Sequence, residues 1–209
     1  MKTKVPANIQ KLMRKKETGV KIVSLTAYDY ITAQIEEKAG VDFILVGDSM
    51  AMAVLGEEST QSADLEVMLV HTKAVRKGAP DSLVIGDMPC GTYEDSDRQA
   101  VETAKRFTEY AGADAVKLEG GDEDSISRVK AIVEAGIPVM GHIGLQPQTA
   151  HKTGGYRVIK LPERERMLSE SLALQKVGTF AIVLESIEEQ IAQEITTLVD
   201  VPPIGIGAG

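Results

Sequence analysis

With 209 residues, 43% of them hydrophobic and 26% charged, the chain suits one domain with a sizeable core. Its net charge of −8 argues against a nucleic-acid partner or an anionic membrane surface, and no run of about 18 apolar residues is present to cross a bilayer. The single cysteine, Cys90, excludes an intrachain disulfide and suits a reducing compartment, so a cytoplasmic location is expected.

Taken in chain order, the first twenty residues carry Lys11, Arg14, Lys15 and Lys16 without an apolar h-region. That segment reads as the solvated face of an N-terminal helix rather than a secretory signal. Seven strand candidates follow: Lys21–Thr26, Phe43–Val46, Leu83–Ile85, Ala115–Leu118, Pro138–Met140, Phe180–Leu184 and Ile204–Ile206. Between them, Leu65, Met68, Leu69, Thr72 and Val75 make one helical stripe. Ile126, Val129, Ile132 and Val133 make a second, and Ile187, Ile191, Ile195 and Leu198 a third. Glycines 40, 112, 136 and 178 stand where helices stop, a place that favours the left-handed backbone, and Gly78 is assigned the same part before Leu83. Ser186-Ile-Glu-Glu189 has the spacing of a capping box that would start a helix.

The repeating unit is a helix end, a glycine, a short apolar strand and then a polar residue able to do chemistry. Such alternation predicts a parallel sheet with right-handed crossovers. The expected fold is α/β, a (β/α)8 TIM barrel of which the chain as given covers about seven βα units. One barrel domain is expected over 1–209, with 1–20 as an N-terminal helical segment and an eighth strand and C-terminal helices lying outside the sequence. An open doubly wound sheet is the alternative, disfavoured because it gathers functional residues near one switch point.

In a parallel barrel all the strand ends emerge on one face. Asp48, Asp87 and Glu119 would then form an all-oxygen set from three strands, suited to Mg²⁺ or a similar cation rather than Zn²⁺. The competing reading is that each carboxylate caps a helix or pairs with a basic neighbour. Lys117 lies two residues before Glu119, so both face the same way. A substrate carboxylate or an ion pair with Glu119 or Asp87 would satisfy it. His142 is either a donor to a substrate oxygen or a satisfied core histidine, and His71 reads as a surface residue. His151 and Lys152 fall in a long loop, 146–156, that could serve as a lid or a contact. Glu185, following Ala-Ile-Val-Leu, is the candidate base, since a partly dry cavity raises a carboxyl pKa. Gly205-Ile-Gly-Ala-Gly209 could cradle a phosphate or simply form a tight turn. Cys90, Met50 and Met52 read as pocket or packing residues.

Six segments in this order resemble ketopantoate hydroxymethyltransferases. They are Leu25-Thr-Ala-Tyr-Asp-Tyr30, Ile44-Leu-Val-Gly-Asp-Ser49, His71-Thr-Lys-Ala-Val75, Ala115-Val-Lys-Leu-Glu-Gly-Gly121, Ile137-Pro-Val-Met-Gly-His-Ile-Gly-Leu145 and Pro203-Ile-Gly-Ile-Gly-Ala-Gly209. The resemblance implies a barrel of the phosphoenolpyruvate/pyruvate-binding superfamily, assembled as a large homo-oligomer. It implies transfer of a hydroxymethyl group from 5,10-methylenetetrahydrofolate to 3-methyl-2-oxobutanoate, giving 2-dehydropantoate for pantothenate and coenzyme A. By carry-over, Asp48, Asp87 and Glu119 would form the metal site, and Asp48, Ser49, Asp87 and Lys117 would bind the oxo acid. Glu185 would accept the proton, with His142 as an auxiliary donor. Cys90 and Gly91 stand where the family commonly has bulkier residues, which would loosen the pocket. Two other readings are a related Mg²⁺-dependent 2-oxo acid lyase or mutase and a non-catalytic oxo-acid-binding fragment.

Overall fold

The computed structural model describes residues 6–150 and 154–209. Its seven strands are β1 (Ser24–Thr26), β2 (Phe43–Val46), β3 (Val84–Asp87), β4 (Ala115–Lys117), β5 (Val139–Gly144), β6 (Ala181–Glu185) and β7 (Pro203–Ile206). They form one parallel sheet in the order β1-β2-β3-β4-β5-β6-β7. Each strand lies beside its predecessor, so no strand order reverses and the doubly wound alternative falls. The architecture is a curled, parallel α/β half-barrel.

The period of two along a strand separates the two faces of the sheet and places the site. One face carries Phe43 and Leu45, Leu83 and Ile85, Ala115, Met140, Ala181 and Val183, and Ile204, which join in a single inner cluster. Ile9 and Leu12 of α1 (Ala7–Thr18) enter that cluster too, beside the strand-start residues Phe43, Leu83 and Phe180. Continuing the same parity upward gives Asp87, Lys117, Glu119, His142 and Glu185. The inner face is therefore hydrocarbon where the strands begin and ionisable where they end.

The opposite face, with Ile44, Val46, Val84, Val116, Leu118, Val139, Ile182 and Leu184, packs beneath the helices. These are α2 (Tyr30–Ala39), the short α3 (Met50–Ala53), α4 (Leu65–Gly78), α5 (Asp97–Lys105), α6 (Glu123–Glu134), α7 (Arg164–Val177) and α8 (Glu189–Leu198). Two strand glycines face this layer. A Cβ on Gly86 would run into the Phe107 ring, which sits in the π-helical turn Arg106–Tyr110 that continues α5. A Cβ on Gly141 would press on Leu174 of α7 at 2.9 Å.

The strand bounds differ from expectation where side chains gave no guidance. β1 begins only at Ser24, because Asp42 takes the backbone amide of Val23 with its own side chain. β5 runs on to Gly144, since His142, Ile143 and Gly144 continue to pair with Val183, Leu184 and Glu185 of β6. Gly78 is no left-handed stop. It is the last residue of α4, and a Cβ there would strike the Tyr30 carbonyl oxygen, so it permits close approach of α2 and α4. Ser186 does not cap α8 either. It adopts φ of 50°, donates its amide to Ile206, and the helix starts at Glu189. No described helix is long and apolar enough to cross a membrane.

Candidate active site

Asp48, Asp87, Lys117, Glu119 and His142 are each at most 4% exposed, yet they lie together. The Lys117 ammonium donates to Asp87 Oδ1 at 2.6 Å and stands 3.9 Å from Glu119 Oε1. The other Asp87 oxygen accepts the Asp48 backbone amide at 3.2 Å, tying the ends of β2 and β3. His142 bridges onward, with Nδ1 3.6 Å from Glu119 and Nε2 3.4 Å from Glu185 Oε2. A continuous path of polar contacts thus runs from β2 to β6. Ser49 follows Asp48 in the chain, and its hydroxyl lies 2.9 Å from that of Tyr28. Gly47 makes room for this turn, because a Cβ there would sit 2.7 Å from the Ser49 hydroxyl.

Helix capping does not account for these carboxylates. The caps of α4, α5 and α6 are Asp64, Ser96 and Asp122, each accepting an amide of the first turn. The ion-pair reading of Lys117 does hold, with Asp87 as its partner. His71 is not a free surface group, since its Nδ1 lies 2.6 Å from the Tyr28 carbonyl, in the segment that carries the Ser49 contact. Gly205, Ala208 and Gly209 line a groove between β7 and residues 20–24, and none of the clustered ionisable residues lines it. Met50 is buried and Met52 exposed. His151 and Lys152 lie outside the described residues.

Burial dominates the electrostatics. Desolvation lifts Asp87 to about 7, against the pull of Lys117 and with a push from Asp48. Glu119 rises to about 8 for the same reason, again moderated by Lys117 and reinforced by Asp87 and Asp48. Burial by itself would lower Lys117, but the surrounding carboxylates of Asp87, Glu119 and Asp48 more than offset it and keep it charged. His142 is driven well down by burial and then by the Lys117 charge, so its imidazole is neutral. Neither ring nitrogen has a well-formed hydrogen bond. A buried imidazole without such a bond is costly. Glu185, the most open of the set with a side chain 20% exposed, is raised by desolvation.

Two residues here carry no advance signal in the sequence. Gln148, 1% exposed, donates its side-chain amide to Asp48 at 2.8 Å and to the Met88 carbonyl at 3.0 Å, and its backbone amide to Glu119 at 3.1 Å. The Tyr93 hydroxyl donates to Gln148 Oε1 at 2.7 Å. Both sit in loops following β3 and β5, where neither periodicity nor charge marks them.

Among the described residues, no group of three or more His, Cys, Asp or Glu side chains is arranged to hold a metal ion by itself. The set nevertheless fits Mg²⁺ in kind, because that ion is commonly held by one or two carboxylates, with water and substrate oxygens completing its shell. Each carboxylate oxygen has two lone pairs, so the bonds already made leave acceptor capacity. One lysine faces three buried carboxylates, and the upward shifts of Asp87 and Glu119 come first from desolvation, with the neighbouring carboxylates adding a smaller push.

Comparison with known proteins identifies the family. The chain is 49% identical over 202 residues to the 3-methyl-2-oxobutanoate hydroxymethyltransferase of Trichodesmium erythraeum, covering 96% of this chain and 77% of that one. It is 50% identical over 204 residues to the enzyme of that name from Thermotoga maritima, covering 97% and 74%. Among solved structures it resembles phosphonopyruvate hydrolase in complex with oxalate and Mg²⁺, with a TM-score of 0.68 at 16% identity over 96% of this chain and 72% of that one. It likewise resembles 2,3-dimethylmalate lyase, with a TM-score of 0.66 at 18% identity over 96% and 72%. At such identities the likeness shows the fold alone. The ketopantoate hydroxymethyltransferase family profile matches residues 6–209, which with the close relatives makes this chain a member of that family.

Proposed function

We propose that this chain transfers a hydroxymethyl group from 5,10-methylenetetrahydrofolate to 3-methyl-2-oxobutanoate, forming 2-dehydropantoate for pantothenate synthesis. The observation that carries the reading is the path of contacts from Asp48 to Glu185, with a neutral imidazole at its centre and a half-buried carboxylate at its open end. Asp48, Asp87 and Glu119 would hold a divalent cation, whose charge would stabilise the negative charge developing on the keto oxygen.

The chain's own groups perform the rest. Lys117 donates to Asp87 and has two further N–H groups for the oxo-acid carboxylate, with Asp48 and Ser49 bordering the same place. Glu185 removes the proton from C3, and its raised pKa makes it a stronger base than an exposed glutamate. Water hydrolyses the methylene bridge of the folate, breaking both of its C–N bonds to give tetrahydrofolate and formaldehyde. The electron pair released at C3 attacks the formaldehyde carbon, forming the new carbon–carbon bond, and the oxygen takes up the proton to become the hydroxymethyl hydroxyl. His142, neutral and unsatisfied, donates a hydrogen bond to a substrate oxygen from one ring nitrogen. Burial of the cluster keeps water from competing for these contacts.

The chain contributes about seven units to a single (β/α)8 barrel domain, a reading supported by the sequential strand order. The lone cysteine suits a cytoplasmic setting, and the large homo-oligomer implied for the family extends to this chain by the same resemblance. The test is an assay with 3-methyl-2-oxobutanoate and Mg²⁺ with and without the folate. Product formation only with the folate is expected, whereas cleavage of 2-oxo acids without a one-carbon donor would place the chain among the lyases.

A further inference from the structure

Gln148 occupies a place no other side chain in the site shares. Its amide uses both N–H groups and its oxygen: Nε2 reaches Asp48 Oδ2 and the Met88 carbonyl, while Oε1 accepts from Tyr93. Met88 O and Asp48 can only accept, so the amide has one satisfactory orientation. The backbone amide of the same residue holds Glu119 Oε2, and its carbonyl accepts from Gln61 Nε2 at 2.6 Å. One residue of the loop after β5 therefore fixes carboxylates that follow β2 and β4, across the gap that Asp87 and Lys117 fill.

The chemistry of the residue matters as much as its reach. A lysine there would neutralise Asp48, and a glutamate would add a fourth carboxylate. A neutral amide holds the rotamer and leaves the charge. We propose that Gln148, braced by Tyr93, is the positioning residue that presents Asp48 and Glu119 to the divalent cation. This inference rests on the cation reading above. Partners that orient metal-ligating carboxylates contribute about 10–100-fold to metal affinity.

The test uses Mn²⁺ as the probe, titrated against the full chain without either substrate and followed by the paramagnetic resonance of free Mn²⁺. Gln148→Met keeps the length of the side chain and removes all three amide contacts. Its expected Mn²⁺ affinity is lower by about 10–100-fold. In turnover, the loss is expected in the Mg²⁺ concentration giving half-maximal rate rather than in the rate at saturation. Tyr93→Phe removes the bond that Oε1 accepts and leaves both Nε2 bonds, so a smaller loss in the same direction is expected. Parent-like Mn²⁺ affinity in folded Gln148→Met overturns the positioning role. Should that variant not fold, parent-like affinity in Tyr93→Phe overturns it instead. A parent protein that binds no Mn²⁺ overturns the cation reading and this inference together.

Discussion

Replacing Lys117 by methionine keeps the hydrocarbon of the side chain and deletes the one cation facing Asp87 and Glu119. The Lys117 and Asp87 side chains are 5% and 3% exposed and bonded at 2.6 Å, so water cannot substitute for the lost partner. Removing one member of a buried pair costs about 3–5 kcal/mol when the other stays charged. Whether it stays charged depends on pH. Asp87 at about 7 and Glu119 at about 8 are both raised above their unfolded values of about 4. Raised carboxyl values mean that the folded state binds more protons, so their contribution to stability is complete below about pH 4 and is lost as pH rises through 7 and 8. For Asp87 that amounts to ~4 kcal/mol, three units at ~1.4 kcal/mol each. Near pH 5.5 the folded parent already holds both protons, and Lys117→Met is expected to cost little. Near pH 8.5 the ~3–5 kcal/mol of a broken buried pair is expected, because the charge that lowers both carboxyls is gone. Urea unfolding without divalent cations reads this directly. With a slope of about 2 kcal/mol per molar, the midpoint should fall by about 2 M near pH 8.5 and by under about 1 M near pH 5.5. An equal fall at both pH values, or none near pH 8.5, would refute the assignment of Lys117 as the counter-charge to these acids.

Asp87→Asn is expected to weaken Mg²⁺-dependent binding of the oxo acid in calorimetry, because it removes charge from the junction of β2 and β3; unchanged binding counts against a cation at Asp87. Gly86→Ala forces a methyl group into the Phe107 ring and is expected to cost about 1–3 kcal/mol in urea unfolding, with no loss meaning that the π-helical turn yields freely. The rate of substrate C3 hydrogen exchange should rise with pH through a value above the ordinary glutamate range, since Glu185 must be ionised to act and burial raises its pKa. A limb at the pKa of an exposed glutamate would contradict that burial.

Much of this arrangement is legible in the residues alone. The seven strands sit on short apolar runs, and β2, β4, β5 and β6 follow the helix ends marked by glycines 40, 112, 136 and 178, because a parallel strand covered on both faces needs hydrocarbon on both. The period of two then obliges Lys117 and Glu119 to share a face, and the structure brings both beside Asp87. Local pattern fails where the deciding partner is distant. Gly78 resembles a helix stop, but the carbonyl of Tyr30 on another helix dictates its lack of a side chain. Ser186 has capping spacing, but its amide is claimed by Ile206 of β7. His71 reads as exposed until the Tyr28 carbonyl is seen beside it. Gln148 and Tyr93 escape for a related reason: their worth lies in simultaneous bonds to loops and strands far apart along the chain.

Exchange of the C3 hydrogen of 3-methyl-2-oxobutanoate into heavy water, followed by proton resonance in the presence of Mg²⁺ and without the folate, isolates the step assigned to Glu185. The account predicts rapid exchange in the parent and its abolition in Glu185→Gln, with Mg²⁺-dependent binding of the oxo acid largely retained. Exchange at the parent rate in that variant would contradict it.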